Sequence, residues 1–225
     1  VAGSFTPSND ARDTAVGRGP TISVFTSGLA LPCAVGLWLV LLLALFLWPI
    51  LTNSPTLGMD LIQYTVRLSL LYYAAALNLM LWLRPTDWHD QGPTMRLARC
   101  CWSLGWLTFL VHLAMAFHFF HGWSHADAVR HTREVSGVGA GIYVSHLFTL
   151  VWTADVALWW FRPGTYAARP LWVGTLLHGF MLFIVFNGTI VYEQGTIRWL
   201  GVLMFAELVI AKQLADFGWL FCLRK

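Results

Sequence analysis

The sequence predicts an all-α integral membrane protein, a bundle of about six transmembrane helices with both termini cytoplasmic. Three observations lead there. Of 225 residues, 57% are apolar and only 11% are charged, against about 25% charged in an ordinary soluble domain. Mean hydropathy is +0.62, and a water-soluble chain of this size has no interior large enough to hide so much apolar surface. The apolar residues also come in stretches of roughly 20, the length that crosses a hydrocarbon core. A soluble enzyme, a disordered chain and a disulfide-stapled secreted domain are excluded.

Residues 1–28 read as a flexible polar tail rich in Gly, Ser, Thr and Pro, carrying Asp10, Arg12, Asp13 and Arg18. The tail is too long and too acidic for the charged start of a signal peptide. Residues 29–225 then read as one transmembrane helical domain. The expected spans are Leu29–Leu51, Leu61–Leu83, Cys100–Phe120, Val138–Phe161, Leu171–Tyr192 and Ile197–Leu223. Punctuation separates them: Asn53-Ser54-Pro55, Arg84-Pro85, Gly92-Pro93, Arg162-Pro163-Gly164 and Gln194-Gly195. The sixth is the least regular, because it contains Glu207, Lys212 and Asp216.

Orientation follows from loop cations, which collect on the cytoplasmic side. With the N-terminus inside, Arg12, Arg18, Arg84, Arg96, Arg99, Arg162, Arg169, Arg224 and Lys225 lie inside, and Arg130, Arg133 and Arg198 outside. The loop between the third and fourth spans then faces the periplasm of a bacterial inner membrane. The net charge of +3 is mild and scattered between apolar stretches, which gives no basis for nucleic-acid binding. The expected partners are the lipid bilayer and other membrane subunits. Cys33, Cys100, Cys101 and Cys222 form no CxxC pair and read as packing thiols.

Five of the eight histidines fall between His112 and His131. On one helix His118, His121 and His125 would project at about 0°, 300° and 340°, a stripe roughly 60° wide. Imidazoles converging at the outer end of a helix suit Cu, Fe or Zn. Gly122 interrupts that stripe, and a second arrangement survives the break. Ser124 is a good N-cap with Asp127 three residues on, so a short interfacial helix should run from His125 to about Glu134. On it Asp127 and His131 share a face at i, i+4, as two metal ligands or as a ligand and its orienting carboxylate. The expected metal ligands are therefore His118, His121, His125 and His131, with Asp127 or Glu193 as the acid. Solvated interfacial histidines are the plainer alternative.

Ionisable groups within spans are costly and point to function. Asp155 and His178 lie at similar depths from the inner end. They could form a proton relay, a link behind a metal ligand, or interhelical glue of about 1 kcal/mol. His112 and His146, at similar depths in the third and fourth spans, offer the alternative of a bis-histidine haem b. Gly137, Gly139 and Gly141 near His146 allow close helix approach. The tryptophans read as aromatic belts at span ends.

The pair Asp127-x3-His131 followed by His146 is loosely similar to the membrane subunit of particulate copper monooxygenases, over residues 127–146 only. The run His121-x3-His125 resembles one histidine box of the membrane di-iron desaturases, whose HxxHH box is missing here. Neither identifies a family. The expected function is a membrane protein with a histidine-rich transition-metal site at its outer face, a metal-dependent oxidoreductase or a subunit of one. The alternatives are a haem electron-transfer subunit and a non-catalytic subunit of a larger complex.

Overall fold

The computed structural model describes residues 29–83, 87–88 and 92–222, the last five without their side chains. The expected tail at 1–28, the Arg84-Pro85 turn, Arg224 and Lys225 lie outside the described residues. All regular structure among the described residues is helical. It comprises α1 (Ala30–Leu51), α2 (Leu57–Trp82), α3 (Pro93–Phe119), α4 (His125–Ser136), α5 (Gly141–Phe161), α6 (Pro163–Ala167), α7 (Leu171–Phe186) and α8 (Thr196–Cys222). A π-helical turn, Asn187–Val191, extends α7.

Four segments are long and apolar enough to cross a membrane: Ala30–Leu51, Pro93–Phe119, Gly141–Phe161 and Leu171–Val191. Helices α2 and α8 match them in length, at 26 and 27 residues. They carry more polar side chains, Asp60, Gln63, Arg67 and Asn78 on α2 and Arg198, Glu207, Lys212 and Asp216 on α8. Several of these groups find partners. Arg67 donates to Gln63 at 3.1 Å, Asn78 donates to Glu207 at 2.7 Å, and Lys212 pairs with Asp216 at 2.8 Å.

The helix boundaries follow from their residues. Proline opens α3 and α6, where its missing N–H costs nothing. Ser124 caps α4 by accepting from the Asp127 N–H at 3.2 Å, and Gly137 ends it with φ 77°, a left-handed conformation that glycine adopts without strain. Gly137 is thus a stop signal, not a thinned helix face. The start of α5 at Gly141 also places His146 in its second turn, nearer the helix end than the sequence suggests.

The α2–α3 pair forms the spine of the molecule. A Cβ on Gly105 of α3 would stand 3.2 Å from the Tyr73 backbone nitrogen of α2, and Ser69 donates to the Gly105 carbonyl at 2.9 Å. Helix α1 lies outside this pair, tied by Trp38 Nε1–H to Thr108 Oγ1 at 2.8 Å and by the Tyr72 hydroxyl to the Ala34 carbonyl at 2.9 Å. Helix α5 packs on α3 through Trp106 Nε1–H to Thr153 at 3.0 Å and Trp160 Nε1–H to Ser103 at 2.8 Å. Helix α8 closes the bundle against α2 and the π turn.

The tryptophans divide in two. Trp48, Trp123, Trp172 and Trp199 are exposed, as an aromatic belt requires, but Trp102, Trp152 and Trp159 are at most 2% exposed. Trp159 stacks on Tyr166, and Trp102 and Trp152 belong to a ladder of rings through the core. Centroid spacings run His178–Trp102 5.4 Å, Trp102–Tyr73 5.4 Å, Tyr73–Trp152 5.5 Å, Trp152–Phe109 5.7 Å and Phe109–His112 6.1 Å.

Candidate functional site

The histidine-rich connection leaves α3 at Phe119 and turns sharply. Gly122 and Trp123 both have positive φ, 50° and 62°. The turn is held by Trp123 N–H to the Phe117 carbonyl at 3.0 Å and Ser124 N–H to the His121 carbonyl at 2.7 Å. The stripe expected from His118, His121 and His125 therefore does not form, because the helix that would align them ends between them.

Two imidazole pairs stand in its place. The His121 and His131 rings lie 5.5 Å apart between centroids, across the turn. The His125 and His146 rings stack at 5.4 Å, beside Tyr143 at 5.7 Å from His125. Residues six apart on a helix project about 120° apart, so α4 presents His125 and His131 on different faces. His118 is exposed and packs edge-on against Phe119 at 4.7 Å. Asp127 pairs with Arg130 at 2.7 Å, and His131 Nδ1 lies 3.8 Å from Glu134 Oε2. Arg130 bridges to Glu134 at 4.0 Å. The shared face of Asp127 and His131 is thus spent on neighbouring residues of α4.

His121 and His131 stand over an open cavity of about 560 Å³ lined by α2, α3, α5, α7 and α8. Glu193, just past the π turn, lines it as well, and so does Gln63 of α2. The deeper wall includes His112, Tyr73 and Trp152. His112 Nδ1 lies 3.0 Å from the Ile62 carbonyl. A carbonyl only accepts, so Nδ1 carries the proton and Nε2 keeps its lone pair. Burial holds the His121 imidazole below the ordinary histidine pKa, the His131 charge adds to this, and Asp127 opposes it. His121 is thereby kept in the neutral form that binds metals. His112 and His146 belong to separate clusters. Among the described residues, no group of three or more His, Cys, Asp or Glu side chains is placed to hold a metal ion.

A second cluster sits at the opposite end, where α5 meets α6 and α7. Asp155 is 3% exposed and accepts from Arg169 at 2.8 Å, Trp102 Nε1–H at 2.9 Å and the Tyr166 hydroxyl at 3.2 Å. Arg169 also lies 3.4 Å from His178 Nε2. The Asp155–His178 pair expected from depth is bridged by this guanidinium. Arg169 lies over the Tyr166 ring at 4.0 Å, and Tyr166 stacks on Trp159 at 4.5 Å. These rings make the cluster rigid. Arg169 reads in the sequence as one loop cation among several. Tyr73 and Trp152 gave no signal, since aromatic residues in an apolar helix are ordinary.

No protein family, curated protein or solved structure matches the chain.

Proposed function

We propose that this chain is a six-span protein of a bacterial inner membrane, both termini cytoplasmic, with the α4 end facing the periplasm. On this reading α2 and α8, at 26 and 27 residues, complete the bundle. The His121–His131 pair binds a transition metal, Cu, Fe or Zn, over the mouth of the 560 Å³ cavity. The chain then serves as a metal-dependent oxidoreductase, or as a subunit of one, acting on a small molecule held below the ion.

The observation that carries this reading is the 5.5 Å separation of the two rings. Metal–nitrogen bonds of about 2.0–2.1 Å on a tetrahedral ion place two imidazole centroids roughly 5 Å apart. Glu193 lines the same cavity from the loop after the π turn, and on this reading it moves in as the acidic third partner. A site with few protein ligands leaves coordination positions open, the arrangement used by catalytic rather than structural ions.

Elemental analysis of the detergent-purified chain tests the proposal. About one ion per chain is expected. It should be lost in His121→Ala and His131→Ala and retained in His118→Ala, whose ring is exposed and apart from the pair. A metal-free preparation after reconstitution with Cu, Fe and Zn refutes it, as does unchanged content in the doubly substituted chain.

A further inference from the structure

We infer that the cavity beneath the histidine pair binds an uncharged, hydroxyl-bearing hydrocarbon, with its hydroxyl set among Tyr73, Trp152 and His112. The inference rests on the proposed chamber and not on a metal being present.

Three side chains of the deeper wall have hydrogen-bonding capacity left over. The Tyr73 hydroxyl and Trp152 Nε1–H are buried without a partner among the described residues, in side chains 1% and 2% exposed. A buried donor with no acceptor bears its full desolvation cost, and such groups are rare in folded proteins. Both residues line one cavity, with ring centroids 5.5 Å apart, and their donor atoms lie just behind its surface. His112 supplies the opposite capacity. With Nδ1 committed to Ile62, the ring has only the Nε2 lone pair to offer. A hydroxyl is the simplest uncharged group that accepts from the first two and donates to the third.

The rest of the wall sets the body of the ligand. Val66, Leu70, Phe109, Phe148, Ile184 and Val185 surround the space, so an apolar chain or ring fills it. Among the described residues no Lys or Arg lines the cavity, and the acid that does is Glu193. A carboxylate headgroup would be buried without a counter-charge, at prohibitive cost. The cavity extends along α3 from the level of Phe109 to that of Phe120, about 16 Å at 1.5 Å per residue. That length places the far end of a medium-chain ligand near His121 and His131.

The test uses the full chain in lipid nanodiscs with 15N-labelled tryptophan. The Trp152 indole resonance is assigned by its loss in Trp152→Phe. 1-Octanol is expected to move that resonance downfield, saturably, while n-octane and octanoate leave it in place. Octyl methyl ether, which accepts but cannot donate, should bind about five-fold more weakly than 1-octanol, the worth of one hydrogen bond. His112→Phe should abolish that preference, and Tyr73→Phe should weaken 1-octanol by a similar factor. An unmoved Trp152 resonance at saturating lipid mole fractions of 1-octanol overturns the inference, as does octanoate acting as strongly as 1-octanol. The shift is expected with or without metal and in His131→Ala, so its survival there upholds the inference, while elemental analysis decides the metal reading separately.

Discussion

Replacing Asp155 with alanine should be the most damaging single change at the α6 end of the molecule. The carboxylate is 3% exposed and holds three donors, from Arg169, Trp102 and Tyr166. The Arg169 side chain is itself only 15% exposed. Its removal leaves a mostly buried guanidinium without its counter-ion. Breaking a buried pair from one side costs about 3–5 kcal/mol, and the two neutral donors left behind add to this without summing fully. We expect a loss of about 4 kcal/mol for Asp155→Ala and roughly half that for Asp155→Asn, which keeps one acceptor oxygen. The double variant Asp155→Ala/Arg169→Met should recover most of the loss, because an apolar pair replaces the ionic one. Reversible unfolding in mixed micelles, followed by pulse proteolysis, measures all three. A loss below about 1 kcal/mol for Asp155→Ala, the low end for leaving even one buried donor unsatisfied, refutes the reasoning. A double variant less stable than Asp155→Ala refutes it as well.

Ser124→Ala removes the cap of α4 and should cost about 1 kcal/mol; hydrogen exchange should show its effect first in the turn carrying His125. Gly201→Ala would bring a methyl 2.8 Å from Thr189 Cβ and 3.1 Å from Ile190 Cγ1. That overpacking should cost about 1–3 kcal/mol, and cross-linking between α8 and the π turn should report the displacement. Because His121 is held below the ordinary histidine pKa by burial and by His131, the unfolded chain binds more protons there once the pH falls below about 6.5. Stability is therefore fully present above that pH and declines on acidification towards the lowered native value. His121→Gln should flatten this slope in a pH series of thermal melts, and an unchanged slope would contradict it.

Much of the fold was legible because its signals are local. Pro93, Pro163 and Ser124 set helix ends by chemistry that acts within a few residues, and α4 starts at the residue expected; Gly137, read as a packing glycine, ends it. The Lys212–Asp216 ion pair, one turn apart on α8, is of the same local kind. The site was legible only in part. The histidine stripe assumed an unbroken helix, and a two-residue left-handed turn at Gly122 and Trp123 rerouted the chain. His146 was matched to His112 by depth, yet its ring meets His125, because depth along a helix does not give the direction a side chain takes. Arg169 came between Asp155 and His178 because a short helix, α6, folds it back. Tyr73 and Trp152 acquire meaning only when five helices line a space, and no sequence window spans five helices.

The ladder of indole and phenol rings from His178 to His112 has an optical consequence. Aromatic chromophores fixed at 5–6 Å centroid spacing couple electronically, so the folded chain should give intense near-ultraviolet circular dichroism. That signal depends on tight side-chain packing, whereas the far-ultraviolet signal needs only helices. The two bands separate a loosened bundle from a melted one, and excitation shared along the ladder makes total tryptophan emission a property of the whole core.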